Sequence, residues 1–200
     1  MKSMRGILMA AALAVMALAA GDVHAAQITV TVTDGAGGAA INKAVVAVVV
    51  SNAVVGAGIT PASGVWSAQV PDAARAFVVV AKKLYAPQAR QVALSGQVSA
   101  SFALVRFGTE DFNRLGRIVG FVRNAAGEPL ANATLVLFKG ENPVGVTRVQ
   151  NATGVYELDW YPPARYTVVV TAPGHNPATY QRKQIAAGES LWLDVTLQPR

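Results

Sequence analysis

The sequence contains no cysteine and only two histidines, His24 and His175, and these shortages exclude several kinds of site. Without cysteine the chain has no disulfide framework, no thiolate metal site and no cysteine nucleophile. Two histidines are too few for a histidine-rich metal centre and give little basis for a histidine acid–base relay. We therefore predict no metal site, no cofactor and no catalytic residues, and hence a protein that is not an enzyme.

Charged residues are also scarce, since they make up only 14% of the chain, and the formal net charge is +6. No run of basic residues is longer than two. A nucleic-acid-binding surface needs clustered lysine and arginine. The sequence therefore predicts no nucleic-acid partner.

The N-terminal segment has the three-part order of a secretory signal peptide. Lys2 and Arg5 precede an uncharged apolar run at residues 7–20, and Val23 and Ala25 supply small residues at a cleavage site. This run is shorter than the roughly 20 residues that span a bilayer. We assign residues 1–26 to a signal peptide cleaved after Ala25 or Ala26. The prediction is a periplasmic or secreted protein that meets the membrane only transiently and, lacking cysteine, is not a lipoprotein.

The remaining sequence repeats itself at an offset of about 90 residues, which indicates a duplicated domain. Residues 63–66 align with 153–156, residues 75–80 with 165–170, and residues 85–87 with 175–177. We predict a first domain at residues 27–106, a linker at 107–116 and a second domain at 117–200. Phe112 and Leu115 of the linker are expected to pack between the two domains.

Short segments rich in Val, Ile, Thr and Tyr alternate with turns that contain Gly and Pro, which is typical of an all-β sandwich. In several segments apolar residues alternate in period two, so one face is expected to be buried and the other wet or half-covered. Seven strands are predicted in the second domain, near residues 117–124, 132–139, 144–150, 154–160, 165–172, 180–186 and 190–198.

Four groups of residues in the second domain, specific in combination, carry a family resemblance: 120–123 with 127–133, 153–156, 162–168 and 172–175. In these residues the domain resembles the carboxypeptidase regulatory-like domain, a transthyretin-like, seven-stranded β-sandwich. The resemblance covers roughly residues 116–200, and the first domain follows by internal similarity as a more degenerate copy. It implies two tandem transthyretin-like or immunoglobulin-like sandwiches.

The family is named after an accessory domain, so the resemblance implies no peptidase activity. A zinc carboxypeptidase site needs two histidines and a glutamate as ligands. The single histidine left after the signal peptide cannot supply that set. One departure from the family concerns Ala164, which stands where glycine is usual; a left-handed conformation there would cost about 1 kcal/mol.

Aromatic residues of the second domain are the best candidates for contact with a partner or a glycan: Trp192, Trp160, Tyr161 and Tyr180. Trp192 is out of phase with Leu191 and Leu193, so we expect it to be exposed. Glu157 and Asp159 share one face of a strand. A glycosidase needs two carboxylates that converge across a cleft, so we expect this pair to be solvated instead.

The prediction for function is an exported, non-catalytic binding or structural module that mediates protein–protein interaction at the cell envelope or outside the cell. Exposed aromatic residues can anchor a protein partner or stack on sugar rings. The alternative is therefore a carbohydrate-binding module that uses the same aromatic residues.

Overall fold

The computed structural model describes residues 25–200, so the predicted signal peptide lies outside the described range except for its last two residues. Ala25 and Ala26 belong to the first strand, where Ala26 is buried and pairs with Val70. Within the described residues, no helix has both the length and the apolar character that crossing a membrane requires.

The first seven strands form two sheets, which we call the first sheet pair. One sheet has the order β4-β1-β7 and the other the order β3-β2-β5-β6. Neighbouring strands are antiparallel except for β1 and β7, which are parallel. The strand bounds are β1 Ala25–Asp34, β2 Val45–Val50, β3 Ala53–Ile59, β4 Val65–Pro71, β5 Ala73–Ala81, β6 Gln88–Leu94 and β7 Gln97–Leu104.

The later strands form the second sheet pair, after a 3₁₀-helix at Thr109–Asn113. One sheet has the order β10-β9-β12-β13, and the other has the order β11-β8-β14 with β15 also paired to β8. The bounds are β8 Gly116–Asn124, β9 Thr134–Lys139, β10 Asn142–Arg148, β11 Val155–Tyr161, β12 Ala164–Thr171, β13 Ala178–Ile185, β14 Ser190–Trp192 and β15 Val195–Leu197. The predicted all-β class is confirmed for residues 25–200.

The last predicted strand of the second sheet pair is two strands, because Asp194 interrupts it. The Asp194 Oδ1 atom accepts a hydrogen bond from the Phe121 backbone N–H at 3.0 Å. A side-chain oxygen therefore accepts the hydrogen bond that a backbone carbonyl would accept from this amide if the strand were continuous. The other strands of this sheet pair begin and end within two residues of the predicted bounds.

Matching backbone hydrogen bonds hold corresponding turns in the two sheet pairs. In the first, the Val32 N–H donates to Gly64 and the Val32 carbonyl accepts from Ile41, both at 2.9 Å. In the second, the Val122 N–H donates to Gly154 at 2.8 Å and the Val122 carbonyl accepts from the backbone N–H eight residues later at 2.9 Å.

Each sheet pair encloses its own apolar core. The first core includes Ile28, Val48 and Phe102, and the second includes Ile118, Leu135 and Leu197. In β1 and β8 the side chains of alternate residues enter these cores, which is the period-two pattern expected of a strand with one buried face.

A third core lies between the two sheet pairs, where their four-stranded sheets pack face to face. Val45, Ala47 and Val79 contribute from the first sheet pair, and Val136 and Phe138 from the second. The central strands β2 and β9 are consequently buried on both faces. The expectation of a wet or half-covered second face is wrong for these strands, because the other sheet pair covers it.

Candidate functional site

The outer face of the β11-β8-β14 sheet carries a row of aromatic and arginine side chains. In β8, Ile118, Gly120 and Val122 are buried, because they face the core of the second sheet pair. The alternate residues of β8 are half-buried and therefore lie on the opposite, outer face: Arg117, Val119, Phe121 and Arg123.

Trp192 lies on this outer face and is 60% exposed, as its phase in the sequence predicts. It is paired in register with Val119 through the parallel β14–β8 contact. Its ring packs edge-to-face against Phe121 with 5.7 Å between ring centroids. The guanidinium of Arg123 lies 4.8 Å from the Phe121 ring centroid, within the range of a cation–π contact.

Trp160 lies near the other end of the same sheet, at a bulge in β11. The register of β11 against β8 shifts between Leu158 and Tyr161, and Trp160 has a φ of 66°. The Arg117 guanidinium lies 5.8 Å from the Trp160 ring centroid, and its Nε donates to Ser190 Oγ at 2.6 Å. We call this row of six side chains the aromatic–arginine strip: Trp160, Arg117, Val119, Trp192, Phe121 and Arg123.

Tyr161 and Tyr180 do not belong to the strip, in contrast to their predicted grouping with the two tryptophans. Tyr161 is only 3% exposed, and burial raises the pKa of its hydroxyl. Its ring covers Gly145, where any side chain would collide with it. Tyr180 is half-buried, and its hydroxyl accepts a hydrogen bond from the Thr196 N–H at 3.1 Å. Tyr161 belongs to the core of the second sheet pair, and Tyr180 packs against that core.

Sequence reasoning missed four members of the strip: Arg117, Val119, Phe121 and Arg123. Their signal is present in the sequence, since Ile118 and Val122 identify the core-facing phase of β8. The odd-numbered residues must then share the outer face with Trp192.

Glu157 and Asp159 line a cleft of about 440 Å³ to which both sheet pairs contribute. Lys83 of the first sheet pair donates to Glu157 Oε2 at 2.9 Å, and the two form an ion pair between the sheet pairs. The Asp159 Oδ1 atom is buried and has no hydrogen-bond partner among the described residues. Burial, with the neighbouring Glu157 charge, raises the pKa of Asp159. The expectation that both carboxylates are solvated is wrong for Asp159.

The cleft does not bring together the groups of a hydrolase or a metal site in the part of the chain that the structure describes. Both carboxylates come from one strand and so do not face each other across the cleft. The imidazole of His175 is separate from them, in a turn where its Nδ1 lies 2.8 Å from the Pro173 carbonyl oxygen. No group of three or more potential metal ligands occurs among residues 25–200.

Comparisons with known proteins find a family model that matches the second half of the chain. Residues 117–198 match the model of the carboxypeptidase regulatory-like domain. No curated protein matches the chain.

Several solved structures show low similarity. The Bacillus anthracis TIE protein is 14% identical with a TM-score of 0.35; the match covers 88% of this chain and 34% of that one, so this chain spans about a third of it. The minor pilin GBS52 of Streptococcus agalactiae is 10% identical with a TM-score of 0.36, and the match covers 88% of this chain and 96% of the pilin. The shaft pilin SpaA of Lactobacillus rhamnosus GG is 13% identical with a TM-score of 0.32, and the match covers 88% of this chain and 98% of the pilin.

Similarities at this level carry no conclusion about function, whereas the family match agrees with the resemblance seen in the sequence. The match, at residues 117–198, runs from β8 through β15 of the second sheet pair.

Proposed function

We propose that the chain is an exported, non-catalytic protein of two tandem β-sandwiches that binds another protein through the aromatic–arginine strip. The sandwiches are residues 27–106 and 117–200, joined by the linker at 107–116. The corresponding turns at Gly64 and Gly154, held by matching hydrogen bonds, support an origin by duplication. Carboxypeptidase regulatory-like domains are accessory domains, which supports a role without catalysis.

Export rests on the signal peptide predicted for residues 1–26. The burial of Ala26 favours cleavage after Ala25, because cleavage one residue later would remove a side chain that belongs to the first core. The mature protein would then enter the periplasm or the medium.

The observation that carries the binding proposal is the exposure of Trp192 on a sheet face. An indole that is 60% exposed leaves a large apolar area in water, which contact with a partner would remove. Its edge-to-face contact with Phe121 holds the ring in place before binding, so little side-chain entropy is lost. Tryptophan and arginine are the residue types that most often dominate protein–protein binding energy.

The test is binding of the mature protein to a partner captured from envelope and culture fractions and then purified. Trp192→Ala is expected to weaken that purified complex about thirtyfold, the cost of losing a tryptophan hot spot. The matched control is Val105→Ala, which truncates a side chain that is 62% exposed on the first sheet pair and should leave affinity unchanged. Equal affinity of the two variants for the partner would show that the strip is not part of the interface.

Carbohydrate binding is the competing outcome of the same test. If oligosaccharides change the intrinsic fluorescence of the mature protein and Trp192→Ala removes the change, the strip is a sugar-stacking platform and the protein-binding proposal fails. Recovery of the protein only as a free monomer from both fractions also counts against the proposal.

A further inference from the structure

A second cavity, of about 390 Å³, lies at the junction of the two sheet pairs and shares Trp160 with the strip. The linker contributes Phe107 and Leu115, the first sheet pair contributes Pro87, and the second contributes Tyr161 and Pro162. Cavities that bind small molecules in proteins have volumes of roughly 300–1,000 Å³ and often lie between domains. The junction cavity therefore has the size and position of a site for a small ligand.

The aromatic walls of this cavity are held in place by contacts within the protein. The Tyr166 hydroxyl donates to the Pro162 carbonyl at 2.7 Å, and the Tyr161 and Tyr166 rings pack edge-to-face at 6.1 Å. Trp160, which also lines the cavity, packs against Phe112 with 4.6 Å between ring centroids. Because these side chains are ordered before binding, they lose little conformational entropy when a ligand binds.

The charges around the cavity select the class of ligand. Among the described residues that line it, Lys139 is the one charged side chain, and none of them carries a carboxylate. The ion pair found among residues 25–200 joins Lys83 and Glu157, so the Lys139 ammonium has no carboxylate partner in the described part of the chain. An apolar wall beside one free cation complements a molecule with an apolar body and a single negative charge.

We propose that the junction cavity binds a small carboxylic acid with an apolar body, such as an aromatic or medium-chain aliphatic acid. The apolar body lies against Trp160 and Tyr161, and the carboxylate faces Lys139. This inference does not depend on the proposed protein-binding role of the strip.

The test uses the mature full-length protein with decanoate and phenylacetate as probes and with decanol and phenylethanol as their uncharged counterparts. Binding is measured by calorimetry and by tryptophan fluorescence, and comparison of the two acids shows which apolar body fits. The carboxylates are expected to bind more tightly than the alcohols. Lys139→Met should weaken carboxylate binding about fivefold, the upper range for an exposed ion pair, and leave alcohol binding unchanged. Lys43→Met, which removes a lysine that does not line this cavity, is the matched control.

Leu115→Trp fills the cavity and should abolish binding of both acids, provided that thermal unfolding shows the variant to be folded. The proposal is overturned if neither acid binds. It is equally overturned if acids and alcohols bind the parent protein alike, or if Lys139→Met and Lys43→Met have the same effect.

Discussion

Asp159 is the residue whose environment departs most from what its place in the sequence predicts. It belongs to an edge strand, yet its Oδ1 atom is buried without a hydrogen-bond partner among the described residues, in the cleft to which both sheet pairs contribute. A buried carboxylate favours its protonated form, so the folded-state pKa of Asp159 lies above its ordinary value. The folded protein then retains a proton that the unfolded chain releases, and stability falls as pH rises through the interval between the two pKa values.

Asp159→Asn is expected to raise the free energy of unfolding by about 1 kcal/mol at pH 7, because it removes the buried charge. Urea unfolding between pH 3.5 and pH 7 should show that this gain shrinks as pH falls, since the parent becomes protonated too. Glu157→Gln is the matched control. It loses an ion pair with a 65% exposed lysine but also the repulsion between Glu157 and Asp159, so stability should change by less than about 1 kcal/mol. A gain in Asp159→Asn that is independent of pH would contradict the assignment.

Backbone conformation is the second property that individual residues decide. Gly154 has a φ of 76°, and a β-carbon there would lie 2.6 Å from the Val122 carbonyl oxygen, so only glycine fits this turn. Ala164, by contrast, is not among the residues with positive φ, and the strained residue near it is Trp160 with a φ of 66°. The departure from the family pattern at Ala164 therefore carries no left-handed penalty.

Asp194 shows how one side chain divides a structural element. Its carboxylate accepts a hydrogen bond from the Phe121 N–H, and the Leu193 N–H donates to the Val119 carbonyl at 2.8 Å. This segment therefore pairs with β8 as two short strands, β14 and β15, instead of one long strand. The Tyr156 hydroxyl also donates to the Leu193 carbonyl. Period-two alternation in the sequence predicts which residues of this segment face the core. It does not show that a side chain replaces a backbone carbonyl as hydrogen-bond acceptor.

Asp194→Ala is expected to lower the free energy of unfolding by about 1 kcal/mol, because the Phe121 amide loses its acceptor. The loss should appear as faster hydrogen exchange of the Phe121 amide, measured by NMR. Asp194→Asn keeps an acceptor oxygen and should stay within about 0.5 kcal/mol of the parent. Equal protection of that amide in all three proteins would show that the carboxylate does not hold the break between β14 and β15.

The third core joins the two sheet pairs into one packed body. Valine, alanine and phenylalanine side chains on the outward faces of β2, β5, β9 and β10 are buried against one another there. The Lys83–Glu157 ion pair and a hydrogen bond from Arg148 Nη1 to the Ala57 carbonyl, 3.2 Å long, lie beside this contact. Phe112 and Leu115 of the linker lie next to the junction cavity, so they line the margin of the contact and the valine-rich faces form its centre.

Val136→Lys places a charge in the third core without changing the core of the second sheet pair. It is expected to cost about 3 kcal/mol or more. Differential scanning calorimetry should then resolve two unfolding transitions, since the sheet pairs no longer stabilise each other. Val119→Lys, on the outer face of the same sheet pair, should keep one transition near the parent temperature. A single, unshifted transition in Val136→Lys would show that the third core does not couple the two halves.

Local patterns in the sequence were sufficient to predict the all-β class, the strand bounds of the second sheet pair apart from the break at Asp194, and the exposure of Trp192. These properties follow from period-two alternation and from turn residues, which act over a few neighbours along the chain. The third core, the burial of Tyr161 and Asp159 and the junction cavity depend on contacts between residues far apart in the sequence. Alternation shows which side chains share a face of a strand, but what covers that face is settled only when the sheets pack together.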